Sequence, residues 1–117
     1  MKKSLIIFVF FPYLLISQIT IEPNPFEVNQ SVTITVDIDS NDTNCNSISN
    51  PDSVYMHAGI GDDNSPWGYS VVGNWGQDDG VGQMSDNGNG TWSITIVPED
   101  YFGLTASQVT SATSMGM

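Results

Sequence analysis

Tyr55, His57, Trp67, Trp75 and Gln77 are the residues whose types and spacing suit chemistry in this chain. Tyr55 and His57 are two apart, so an extended backbone puts both on one face. Trp67 follows across a short loop, and Trp75 lies eight residues further on. The flat C–H faces of a sugar ring stack on Trp and Tyr. Its hydroxyls need donors and acceptors such as His, Gln and Asp. The group therefore has the composition of a carbohydrate-binding surface. Trp75 has a second reading, as a plug closing one end of the fold between Gly73 and Gly76. Trp67, after Pro66 in a polar turn, is expected to be exposed.

Other chemistries find less support. The chain has one His and two basic residues, Lys2 and Lys3, with no G-x-S-x-G nucleophile turn. A nucleophilic triad would have to be built on His57, and nothing in the spacing supplies its partners. The Asp62-Asp63 and Asp78-Asp79 pairs sit in Gly-rich turns rather than across a cleft, as paired glycosidase carboxylates do. We expect no enzyme activity and no cofactor. Asp37-x-Asp39-x-Asn41 opens like a calcium loop, but Asp42 stands where Gly is needed and Ile48 where the bidentate Glu belongs. Asp62, Asp63, Asp78 and Asp79 remain weak calcium candidates, as clustered carboxylates without nearby cations. No metal site is expected otherwise.

Charge narrows the partners. The 117 residues carry 13 Asp and Glu against two Lys, a net charge of −11. Phosphate backbones repel such a surface, which argues against nucleic acid. Neutral polysaccharide and cations remain.

Lys2 and Lys3 precede twelve apolar residues, Leu5 to Ile16, and then the small Ser17. That layout is a secretory signal peptide over residues 1–17, too short for a comfortable membrane span and broken by Pro12. Residues 18–117 are then one exported module, with no membrane contact once the signal is cleaved. A single cysteine, Cys45, makes no internal disulfide, which suits a bacterial source. The sequons at Asn29, Asn41 and Asn89 read as chance matches.

The elements that must position the aromatic residues are strands. Ser31 to Ile38 alternates with Val32, Ile34, Val36 and Ile38 apolar. Thr91 to Val97 alternates with Trp92, Ile94 and Ile96 on one face, so Trp92 is core. Further strands are expected at Ile19 to Glu22, Val54 to Ile60 and Tyr69 to Gly73. Asn-Gly at 87–88 and 89–90 predicts a hairpin before Thr91. Thr105 to Thr113 reads as irregular, and Met115 to Met117 as the start of another strand. This is an all-β pattern: an immunoglobulin-like antiparallel β-sandwich with five strands where about seven are usual. It is expected to be truncated before its last strands, as a fragment with further domains downstream.

One resemblance fits this order. V-Y-M-H at 54–57, Pro66-Trp67, G-N-W-G-Q-D-D-G-V-G-Q-M at 73–84 and G-T-W-S-I-T-I at 90–96 resemble starch-binding modules. These belong to carbohydrate-binding module families twenty-five and twenty-six, and the likeness covers about residues 53–98. It also looks like the N-terminal modules of secreted, multidomain bacterial surface proteins. In such modules a strand His and two Trp residues bind α-glucan on an exposed face. The resemblance gives His57 and Trp67 the first two of those roles. The second Trp lies later in the family pattern; the candidates here are Trp75, which is early, and Trp92, which reads as core.

The expected function is thus a non-catalytic starch or α-glucan binding module, secreted or at the cell surface. The rival is a spacer or adhesion-type immunoglobulin-like module, compatible with calcium stabilisation. Exposed, coplanar Tyr55, His57 and Trp67 would favour sugar. Trp67 buried under the Gly61 to Pro66 loop would favour the spacer.

Overall fold

The computed structural model describes residues 19–38 and 51–117. The expected signal peptide, Cys45, Asp39, Asn41, Asp42 and Ile48 lie outside the described residues.

Two antiparallel sheets enclose one core, and the molecule is mostly β. The first sheet contains β1 (Ile19–Glu22), β2 (Val32–Asp37), β5 (Ser85–Asp86) and β6 (Thr91–Ile96), in the order β1-β2-β6-β5. The second contains β3 (Ala58–Gly61), β4 (Ser70–Val72) and β7 (Ser114–Gly116), in the order β4-β3-β7. The alternation of β2 and β6 sets the register. Val32 faces Ile96, Ile34 faces Ile94, and Val36 faces Trp92. Val32, Ile34, Trp92 and Ile96 are buried. The intervening threonines turn outward, and Thr33 and Thr95 join hydroxyls across the strands at 2.8 Å. Opposite them Met56, Ala58 and Ile60 complete the core with Met84 and Phe102. Such period-two alternation buries one face and leaves the other polar.

Three expectations need correction. The strand expected over Val54 to Ile60 is divided. Its first part pairs with residues 82–84, through a Tyr55–Gln83 bridge and bonds from Met56 N to Gly82 O (2.8 Å) and Met84 N to Val54 O (2.9 Å). Its second part is β3, paired with β4 and β7. His57 lies at the changeover. Seven strands, not five, are found among the described residues: the two-residue β5 carries too little apolar signal to be read, and the strand expected to start at Met115 is β7.

The stretch expected to be irregular contains a helix. After a short α1 (Pro98–Tyr101), α2 (Ala106–Ser111) begins at a capping box. The Thr105 hydroxyl accepts from Gln108 N, and the Gln108 side chain accepts from Thr105 N at 2.9 Å. That reciprocal pair satisfies two otherwise orphaned amides. The hairpin forms as expected: β5 joins β6 with Asp86 opposite Trp92, and Gly88 and Gly90 adopt positive φ between them.

Candidate functional site

Two loops and the β3 approach build the site, and carboxylates hold both loops. In the first loop Asp62 accepts from the amides of Asn64 and Ser65, each at 2.9 Å, and from the Tyr69 hydroxyl at 2.8 Å. Those donors favour the charged form and hold its pKa below the usual carboxylate range, the Tyr69 bond foremost. The loop so fixed presents Trp67.

The Trp67 ring lies against the backbone of two glycines. Gly59 and Gly116 face each other across β3 and β7. A Cβ on Gly59 would stand 2.4 Å from Trp67 Cδ2, and one on Gly116 would stand 2.8 Å from Nε1. Glycine in a strand interior weakens the strand but allows close approach, and here an indole makes that approach. Trp67 keeps 37 % of its surface exposed.

The second loop turns at Asn74 to Gln77, where Gln77 N donates to Asn74 O at 3.2 Å. Gly76, the third turn residue, has φ +71°, the left-handed conformation that a type II turn requires. Trp75 therefore stands at the tip, 80 % exposed. Asp79 braces the base, accepting from Asn74 Nδ2 at 2.7 Å and Val81 N at 3.0 Å. These bonds, the Asn74 one first, hold the Asp79 carboxyl below its ordinary pKa.

His57 stands between the two indoles. Its ring centroid is 5.5 Å from that of Trp67 and 4.8 Å from that of Trp75. The planes are tilted by 57° and 41°. The row is therefore an angled surface, not a coplanar platform. Trp67 is neither buried under its loop nor fully free, and Trp75 is not a plug. His57 Nδ1 is enclosed and has no hydrogen-bond partner. It faces Gly73, where a Cβ would approach to 2.8 Å.

Beside Trp75 opens a cleft of about 440 Å³. Tyr55, His57, Trp75 and Gln77 line it, together with Asp52, Ser53, Asn74 and Asp78. The Tyr55 hydroxyl donates to Asp78, and that bond raises the Tyr55 pKa above the usual phenol value. Trp75 also shares with Tyr55, Met56 and His57 the wall of an apolar cavity of about 250 Å³.

The structure thus brings Tyr55, His57, Trp75 and Gln77 into one cleft, with Trp67 reaching it through His57. Of the acidic candidates, Asp78 enters the cleft, Asp62 and Asp79 brace the loops, and Asp63 accepts from the Thr113 hydroxyl at 2.9 Å. Among the described residues no three His, Cys, Asp or Glu side chains come together as a metal site would require. Sequence reasoning missed Asp52, Ser53 and Asn74 in the cleft, and the glycine floor under Trp67. The glycines at strand positions 59 and 116 were the available signal. Among the described residues no helix is long and apolar enough to cross a membrane. Searches against protein-family models, curated proteins and solved structures return no match to the chain.

Proposed function

We propose that this chain is a non-catalytic carbohydrate-binding module of a secreted or cell-surface bacterial protein, built on an immunoglobulin-like sandwich and taking glucans such as starch. The observation that carries the reading is His57 held between two partly exposed indoles, beside an open cleft lined by amide, hydroxyl and carboxylate groups. Aromatic faces stack on sugar C–H faces, while Gln77, Asn74, Ser53 and Asp78 offer partners to hydroxyls. The topology supports the fold assignment. β1-β2-β6-β5 follows the A-B-E-D order of immunoglobulin domains, and β4-β3-β7 follows C′-C-F.

Such an open site binds weakly by itself and works by raising local concentration when tethered to other binding or catalytic domains. Affinity electrophoresis in gels with and without soluble starch tests the reading. Starch is expected to retard the protein, and Trp67→Ala and Trp75→Ala to remove the retardation. Unretarded migration in starch and in a panel of other glycans would leave the spacer reading in its place.

A further inference from the structure

The cleft beside Trp75 combines aromatic walls with two carboxylates, Asp52 and Asp78. Its other lining groups are Ser53, Tyr55, Met56, His57, Asn74, Gly76 and Gln77, so His57 is its one side chain able to carry positive charge. Lys2 and Lys3 are the only basic residues besides that histidine, and the net charge is −11. An acidic cleft set in a surface of the same sign concentrates cations. The rings add a second attraction. Trp75 is 80 % exposed, so an indole face is open to ligand, and the ring of Tyr55 stands in the same wall. A cation over such a face is drawn by the ring quadrupole, and a neighbouring carboxylate completes the cage.

We propose that this cleft is a subsite for a cationic substituent, a protonated amine or quaternary ammonium group, carried by the bound glycan. The inference rests on the glycan-binding reading for the rest of the ligand. It assigns Tyr55 and Trp75 to the faces of the cation and Asp52 and Asp78 to its charge. Amine-bearing glycans are then preferred over neutral ones of the same backbone. The Tyr55–Asp78 hydrogen bond places that carboxylate at the hydroxyl end of the ring.

The test uses isothermal titration of the protein with three probes: maltotriose, maltotriose aminated at its reducing end, and that amine after N-acetylation. The aminated trimer is expected to bind about ten-fold more tightly than its acetylated form at low salt. Asp52→Asn and Asp78→Asn should each lower that ratio, while Glu27→Gln, outside the cleft, should not. Glu27→Gln should also leave the affinity for maltotriose unchanged. Equal binding of aminated and acetylated trimers would overturn the inference and leave glycan binding standing. A ratio lowered equally by Glu27→Gln would also overturn it, as attraction to the whole chain's charge. Binding of the aminated trimer alone, lost in Asp52→Asn, would keep the cation subsite and remove the neutral-glucan reading. Failure of all three trimers to bind would overturn both.

Discussion

The Trp67 indole rests directly on Gly59, close enough that a single methyl group at that position would overlap Cγ and Cδ2 of the ring. These atoms lie at the root of the side chain. Trp67 cannot yield by rotating its far end, so the loop from Gly61 to Gly68 must move. Gly59→Ala is therefore expected to cost about 1–3 kcal/mol of stability, as overpacking does. The same change should shift the emission of Trp67 to longer wavelength. A Cβ at Gly116 comes inside 3 Å only of Nε1, at 2.8 Å, so Gly116→Ala should cost less. Denaturant titrations of both variants, read by fluorescence, check the order. Equal costs would mean that Trp67 does not lie on this floor.

Trp92 and Trp75 should separate stability from binding. Trp92 is 7 % exposed, packed in the core opposite Val36. Its truncation to Ala removes a large buried ring and should cost about 3–5 kcal/mol. Trp75 contributes little to the core, and Trp75→Ala should change stability by no more than about 0.5 kcal/mol. The losses reverse for ligand: retardation in starch gels should vanish with Trp75→Ala. Acrylamide quenching offers an independent check, since Trp75 should be quenched readily and Trp92 hardly at all.

The contrast between these tryptophans shows what the sequence could convey. Trp92 was legible as core because it shares a period-two face with Ile94 and Ile96, and alternation reports burial in a half-buried strand. Tyr55 and His57 do line one cleft, as the alternation suggested, although the strand expected to carry them is divided there. Trp75 had two open readings, because its exposure depends on the turn at Asn74 to Gln77 and on the Asp79 bonds beneath it. Those are contacts between loop residues, which carry no periodicity. The glycine floor was less visible still, since Gly59 and Gly116 are 57 residues apart and meet only through the β3–β7 pairing. The α2 helix was missed for want of an apolar stripe, and its buried-residue count is nil. Its start was nonetheless written in Thr105-x-x-Gln108.

That capping box gives the third prediction. α2 has six residues and no buried side chain, so packing does little to hold it. Its first turn relies on the Thr105 and Gln108 exchange. Thr105→Ala should cost about 1 kcal/mol, the usual value for a lost N-cap. Thr105→Ser, which keeps the oxygen, should restore most of it. The helix leads into β7 through Ala112 and Thr113, whose amide donates to Gly61 O at 3.0 Å. Amide exchange of the β7 backbone should therefore quicken in Thr105→Ala. Unchanged protection in β7 would show that the strand is held without the helix.

The Asp62–Tyr69 bond makes the Trp67 loop sensitive to pH at both extremes. Asp62 is held below its ordinary value of 3.8, first by the Tyr69 hydroxyl and then by the Ser65 amide. A depressed carboxyl contributes stability above its unfolded pKa, and that contribution is lost as pH falls through the folded one. Tyr69 is shifted the other way, raised above 10.0 chiefly by its bond to Asp62. A raised phenol contributes stability below its unfolded pKa, and that contribution is lost as pH climbs through the folded one. The loop should thus loosen below about pH 4 and again above about pH 10. Tyr69→Phe removes the phenol and the shared bond, so it should abolish the alkaline transition and weaken the acid one. Asp62→Asn should abolish the acid one and return the phenol of Tyr69 toward its ordinary titration. Trp67 emission followed across the pH range, in the wild type and both variants, reads each transition separately. An acid transition of unchanged size in Asp62→Asn would assign it to another carboxylate.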